Sequence, residues 1–248
     1  MRVRNIEGKI FETNGGEPCV VLRYIDYYNI FVQFLDAHKH TVKTRLDTLS
    51  AGSVKNPYTP SLYGVGYMGS GIFKSRFGGK RNKVHQAWSG VIERGYSDKL
   101  KEKYPTYKGC SVHSDWHNFQ NFAKWYTEQE FYGLGYHLDK DLLIKGNKIY
   151  SESTCCLIPQ EINVLIIDSV DGRGEHPRGV SFSRQSGKFV ARVFIKGKNK
   201  FLGEFVSAEK ASMAYRKGKE AHVKDVAVEW RGRIEQKVFD RLMVWEPF

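Results

Sequence analysis

The chain has 248 residues, with 39 Lys/Arg against 27 Asp/Glu, a net charge of +12 and an isoelectric point near 9.4. With 41% hydrophobic and 14% aromatic residues it can bury real cores, which excludes a disordered polyelectrolyte, and its length allows two or three small domains. No segment approaches the apolar length of a membrane-spanning helix and the opening MRVRNIEGKIF lacks a signal-peptide core, so a cytoplasmic protein with a polyanionic partner and no membrane association is expected.

Up to about residue 56 the chain reads as short strands: Lys9 to Phe11, Pro18 to Tyr24, Ile30 to Phe34 and His40 to Thr44. Asn14-Gly15-Gly16, Tyr27 to Asn29 and Asp36 to Lys39 separate them, the pattern of a small β-barrel similar to Tudor or KOW modules. Such modules hold nucleic acid or protein, but eight basic against six acidic residues suit a structural or orienting role equally well. Residues 57–84 form a Gly-rich basic linker, whose Lys74, Arg76, Lys80, Arg81 and Lys83 could follow a phosphate backbone or simply be solvated.

A domain is expected over 85–168. Val84, Trp88, Val91 and Gly95 mark one face of a first helix, and Trp116, Phe119, Phe122, Ala123 and Tyr126 one face of a second; both stripes read as core. The four cysteines, Cys19, Cys110, Cys155 and Cys156, include no C-x-x-C and read as reduced, buried thiols. Zinc is not expected. Cys110 and His113 would need two further N or S ligands, for which only Cys155, Cys156 and His137 are candidates.

The segment from Tyr136 to Asn163 is where chemistry could sit. If Tyr136 to Leu142 is a strand, His137, Asp139 and Asp141 share one face by alternation. Ile144 to Thr154 then forms a loop, Cys155 to Ile158 returns as a second strand, and Pro159 opens a helix with Glu161 and Asn163. Asp139, Asp141 and the Asn163 amide are hard oxygen donors of the kind magnesium or manganese prefers, and His137 could activate water for phosphodiester hydrolysis. The bland alternative is an Asp-rich hairpin whose carboxylates pair with Lys140 and Lys145.

Between Gly172 and Lys219 stand twelve Lys/Arg and three acids, a local excess of +9. Lys188, Val190, Arg192, Phe194 and Lys196 alternate with Phe189, Ala191, Val193 and Ile195, as a strand with one buried face requires. Behind Ser207 as N-cap, Ala208, Ala211, Ala214, Tyr215, Gly218 and Ala221 recur at helical spacing, a small-residue stripe able to lie against that face. The expectation over 172–226 is a three-stranded sheet backed by one helix. Its free face would carry Arg184, Lys188, Arg192, Lys196, Lys198 and Lys200 toward double-stranded DNA.

The motifs RGV, GKFVARV, FLGEF and EKASMAYRKGKE resemble, in order and spacing, the Apetala-two (ethylene response factor) DNA-binding domain, whose sheet lies in the major groove. The resemblance extends the DNA-binding set to Arg178. Plant members carry tryptophan where Phe189 stands and an acid at Arg192. LDKD, GN, YS, C and IN resemble in turn the ββα-metal core of bacteriophage HNH homing endonucleases, often joined to such a domain. That resemblance implies Asp139, Asp141 and Asn163 on the metal side, with Asn147 ordering the loop. Those enzymes place a general-base histidine beside the acid, where Lys140 or Asp139 stands here, and Thr154 replaces a frequent asparagine. Residues 227–248 read as a helical tail that packs on an earlier domain, or whose Trp245 docks a second copy.

The composite expectation is an α+β protein: barrel, ββα-metal hairpin with flanking helices, and C-terminal DNA-binding sheet. It would be a phage-type, metal-dependent DNA endonuclease. The rivals are a non-catalytic DNA-binding regulator derived from one, and an adaptor binding a host protein or RNA.

Overall fold

A computed structural model describes residues 5–167 and 175–247 of the chain; the expected boundary near residues 168–172 lies outside them. The architecture is α+β, in two compact units: Met1–Lys74 with His117–Gln120, and Ser75–Trp116 with Asn121–Phe248. Among the described residues no helix is long and apolar enough to cross a membrane.

In the first unit β1 (Ile10–Glu12), β2 (Pro18–Asp26), β3 (Asn29–Phe34) and β4 (Thr41–Thr44) pair in that order as an antiparallel four-stranded meander. A small barrel was the expectation; the described strands form an open sheet whose edges are β1 and β4. Alternation along β3 points Ile30, Val32 and Phe34 inward, where they meet Cys19, Val21 and, from the short α1 (Leu46–Ser50), Leu46 and Leu49. The Gly-rich stretch after Lys55 is more organised than a free linker. A Cβ on Gly69 or Gly71 would run into the side chains of Asn118 and Gln120, and the Gln120 amide donates to the Met68 and Phe73 carbonyls at 3.1 and 3.0 Å. These glycines serve close approach of backbone to side chain.

The second unit opens with a two-residue hairpin, β5 (Arg76–Phe77) and β6 (Lys80–Arg81), leading into α2 (Lys83–Tyr96). The Asn82 side chain caps α2 by accepting from the Val84 N–H at 2.9 Å, and Val84, Trp88, Val91 and Gly95 are buried along one face, as their spacing predicts. α3 (Asp98–Lys103), β7 (Ser111–Val112) and α4 (Phe119–Glu128) follow. Trp116 precedes α4 in a 3-10 turn; it accepts from the Trp88 indole through its carbonyl at 2.7 Å and packs on Trp125 with ring centroids 4.6 Å apart.

The chain then makes β8 (His137–Asp139), β9 (Ile149–Tyr150), β10 (Cys156–Ile158) and α5 (Gln160–Ile166). β8 pairs antiparallel with β10, while β9 pairs parallel with β7. Last come β11 (Val180–Ser183), β12 (Lys188–Ile195), β13 (Lys198–Phe205), α6 (Ala208–Glu229) and α7 (Gln236–Met243). The three strands form one antiparallel sheet against which α6 packs. Ser207 caps α6 by accepting from the Lys210 N–H at 3.3 Å.

The second half of α6 keeps one tie to the sheet, through Glu229 and Lys196, and also serves a second core. Val223, Val226 and Ala227 enter a core with Leu142, Cys156, Ile158, Ile162, Val238, Leu242 and Trp245. The C-terminal segment therefore packs on the hairpin through its Trp245, one of the two placements its sequence leaves open. Arg241 Nε donates to the Leu142 carbonyl at 3.0 Å, and Tyr136 Oη to the Arg233 carbonyl at 2.8 Å.

Candidate functional site

The hairpin is shorter than alternation predicts. A strand from Tyr136 to Leu142 would put His137, Asp139 and Asp141 on one face, but β8 stops at Asp139. Asp139 ends it. Its Oδ1 accepts from the backbone N–H groups of Asp141 at 2.9 Å and Leu142 at 2.7 Å, turning the chain out of the extended form. Alternation thus relates His137 to Asp139 only, and Asp141 lies in the turn beyond. Burial pushes the Asp139 carboxyl up from its ordinary range; the Leu142 hydrogen bond opposes this and the Asp141 charge adds to it.

Asp141 is paired with Lys140 at 2.5 Å. Lys140 is not a surface partner but a buried one: it is 6% exposed, also donates to the Asn147 carbonyl at 3.2 Å, and holds its Nζ 5.7 Å from the Tyr150 ring centroid. Asn147 fastens the loop. Its Nδ2 donates to the Lys140 and Ile149 carbonyls at 2.8 and 2.7 Å, and its Oδ1 accepts from the Ile149 N–H at 3.1 Å. Thr154 Oγ1 is buried and donates to the Ile149 carbonyl at 2.6 Å, closing the other end. Their neighbours in the chain, Asp139 and Asp141 around Lys140 and Ser153 and Cys155 around Thr154, gave no sign of this burial.

β10 and α5 bring Asn163 to the hairpin. Asn163 and His137, 26 residues apart in the chain, meet with amide nitrogen and imidazole Nδ1 3.4 Å apart. With the amide nitrogen donating, His137 carries its proton on Nε2 and the Asn163 oxygen is left to other partners. With the amide reversed, its oxygen accepts from Nδ1–H and Nε2 becomes the acceptor that a general base needs.

Both hydrogen bonds that Asp139 accepts fall on Oδ1. Its Oδ2 and the Asn163 oxygen therefore fit a hard divalent cation in chemistry, whereas Asp141 would first have to leave Lys140. Among the described residues no group of three or more His, Cys, Asp or Glu is gathered as a metal site. All four cysteines are buried free thiols. Burial pushes Cys155 up to about 12 and Cys156 upward as well, so both are protonated packing residues at neutral pH. His113 lies 3.4 Å from Asp115, largely exposed.

The C-terminal sheet sorts its basic residues by register. Lys188 and Arg192 share one face of β12 and are exposed, with exposed Arg184 in the turn before β12. Arg192 stands opposite Phe201, its guanidinium 5.9 Å from that ring centroid, and Phe194 lies on the same face; the two rings are 56% and 62% exposed. Alternation already put Phe194 on this face; Phe201 was not singled out from the sequence. Val190, expected on that face, is 4% exposed in the middle of the central strand, and the acid Glu204 stands opposite it.

The other cations depart from the expected array. Register shifts at Ala191/Arg192, so Lys198 pairs with Ile195 and Lys200 with Val193, which puts both on the helix side of the edge strand. Lys196 sits in the β12–β13 turn with φ +46° and reaches Glu229 of α6 at 2.6 Å. Arg178 is exposed and donates to the Ile167 carbonyl at 3.0 Å.

No family model, no curated protein and no solved structure matches this chain.

Proposed function

We propose that the protein is a metal-dependent DNA endonuclease of the ββα-metal, HNH-like kind, holding duplex DNA on the Lys188/Arg192 face of an Apetala-two-like sheet. The observation that carries the nuclease half is the meeting of His137 and Asn163 at 3.4 Å across the β8–β10 hairpin and α5, with Asp139 two residues along the His137 face. Magnesium or manganese, held by Asp139 and Asn163, would supply charge stabilisation for the leaving phosphodiester oxygen. His137 stands where an imidazole can take a proton from water or donate to a phosphate oxygen, according to its tautomer.

The sheet half draws on charge and geometry: two cations beside two exposed rings on one face of the β12–β13 pair suit phosphate and base-edge contact. The reading also draws on the resemblance of the hairpin and sheet motifs to the two phage-associated families.

A second reading, a DNA-binding regulator without cleavage, is favoured by the internal engagement of both carboxylates, Asp139 with two backbone N–H groups and Asp141 with Lys140. Incubating supercoiled plasmid with the full-length protein, with and without magnesium or manganese, separates the two. Metal-dependent nicking that Asp139→Asn abolishes, with DNA affinity unchanged, supports the endonuclease. Tight binding without nicking in either metal gives the protein to the regulator.

A further inference from the structure

We infer that the β5–β6 hairpin is a second duplex-DNA contact, in which Arg76, Lys80 and Arg81 meet phosphates while the Phe77 ring is pressed against the bases. Arg76 pairs with Arg81 and Phe77 with Lys80, around a turn in which Gly78 and Gly79 take φ of +56° and +77°. Two successive positive-φ residues suit the tight reversal of a short hairpin, and glycine adopts them without penalty. The Asn82 N–H donates to the Ser75 carbonyl at 2.9 Å and closes the base of the ribbon directly onto α2. It is thus a projecting ribbon rooted on a capped helix.

Three observations identify its partner. First, Phe77 is 86% exposed beside the turn of a ribbon whose other strand residues are all basic, so the ring stands among cations and not on an apolar patch. Second, all four strand residues are exposed, and among the described residues none of Arg76, Lys80 and Arg81 is held in an ion pair. Third, between Asp47 and Glu93 the chain carries Lys55, Lys74, Arg76, Lys80, Arg81 and Lys83 and not one acid.

A purely apolar partner would leave three cations uncompensated, and a solvated linker would not need the phenylalanine. Duplex DNA meets both demands. Its phosphates exchange counterions for the cations, and a narrow ribbon can enter a groove and set an apolar ring against a base step. This surface is separate from the Lys188/Arg192 face and from the hairpin chemistry, though it rests on the reading of the protein as DNA-binding.

The test uses full-length protein and a fluorescein-labelled duplex of mixed sequence, titrated by anisotropy over a salt series. Arg76→Ala/Lys80→Ala/Arg81→Ala should flatten the slope of log affinity against log salt by about 2.7, at about 0.9 per lost phosphate contact. Phe77→Ala should leave that slope unchanged yet weaken duplex binding at every salt concentration, since the ring's contact with the bases is apolar and releases no counterion. A duplex carrying 2-aminopurine should brighten with the wild type and stay dark with Phe77→Ala. Circular dichroism on both variants checks the fold, which an exposed hairpin should not disturb. Wild-type affinity and slope in both hairpin variants, with Lys188→Ala/Arg192→Ala still weakened, would overturn this inference and leave the proposed function standing. A Phe77 effect seen only on single-stranded oligonucleotide would also overturn it. Binding that follows these predictions without nicking removes the endonuclease reading and leaves the hairpin contact in place.

Discussion

His222 is buried in α6, and burial holds its imidazole below the usual range; the Lys219 charge acts in the same direction, Asp225 and Glu229 act against it, and Lys196 adds a smaller push downward. Because the folded pKa is depressed, the unfolded chain takes up a proton first as pH falls. The contribution of His222 to stability is therefore present above the ordinary histidine range, about pH 6.5, and is lost as pH drops from there through the folded value. His222→Gln should flatten this acid limb, as read from denaturant midpoints across pH; an unchanged limb would place the loss elsewhere. Gly179 offers a second test at the same scale. It has φ +74°, and a Cβ there would run into the Tyr215 ring, so Gly179→Ala combines backbone strain with overpacking. A loss of about 3 kcal/mol is expected in equilibrium unfolding.

Among the elements, β12 and β13 show how register decides which cations can share a partner. Lys188 and Arg192 look out from one face, whereas Lys198 and Lys200 look to the other. Lys188→Ala/Arg192→Ala should reduce the salt slope of duplex binding by about 1.8, and Lys198→Ala/Lys200→Ala by clearly less. Equal reductions would show that the edge strand contributes as much as the centre. The sequence made β12 itself legible, since period-2 alternation is a local pattern read from one strand. The face of Lys198 and Lys200 was not, because it depends on a bulge and on the turn at Lys196, which only the pairing reveals. The hairpin divides in the same way. Strand, return strand and Pro159-led helix follow from local signals, but Asp139 stops β8 with its own side chain, and period alone cannot predict that. The meeting of His137 and Asn163 was approachable from the hairpin-plus-helix order, whereas the burial of Lys140 was not.

Across the whole second unit, α6 is the element that joins the three-stranded sheet to the hairpin. It packs along the three-stranded sheet, and Val223, Val226 and Ala227 of its second half share a core with β10, α5, α7 and Leu142. The small-residue stripe announced only the first half; the burial of Val223, Val226 and Ala227 depends on residues that return from far along the chain. A consequence is that the sheet and hairpin are mechanically continuous through one 22-residue helix, so damage at the far end of the core should reach both. Trp245 tests this. It is 8% exposed in that core, and Trp245→Ala should cost about 3–5 kcal/mol through lost burial and the cavity left behind. Hydrogen exchange of the full-length variant should show protection falling together in β10, α5 and the second half of α6. The first unit, whose core of Val21, Ile30, Val32 and Phe34 shares no residue with this one, should keep its protection. If only α7 lost protection while β10 and α6 kept theirs, the C-terminal segment would be a surface addition and the shared core would not be a cooperative unit.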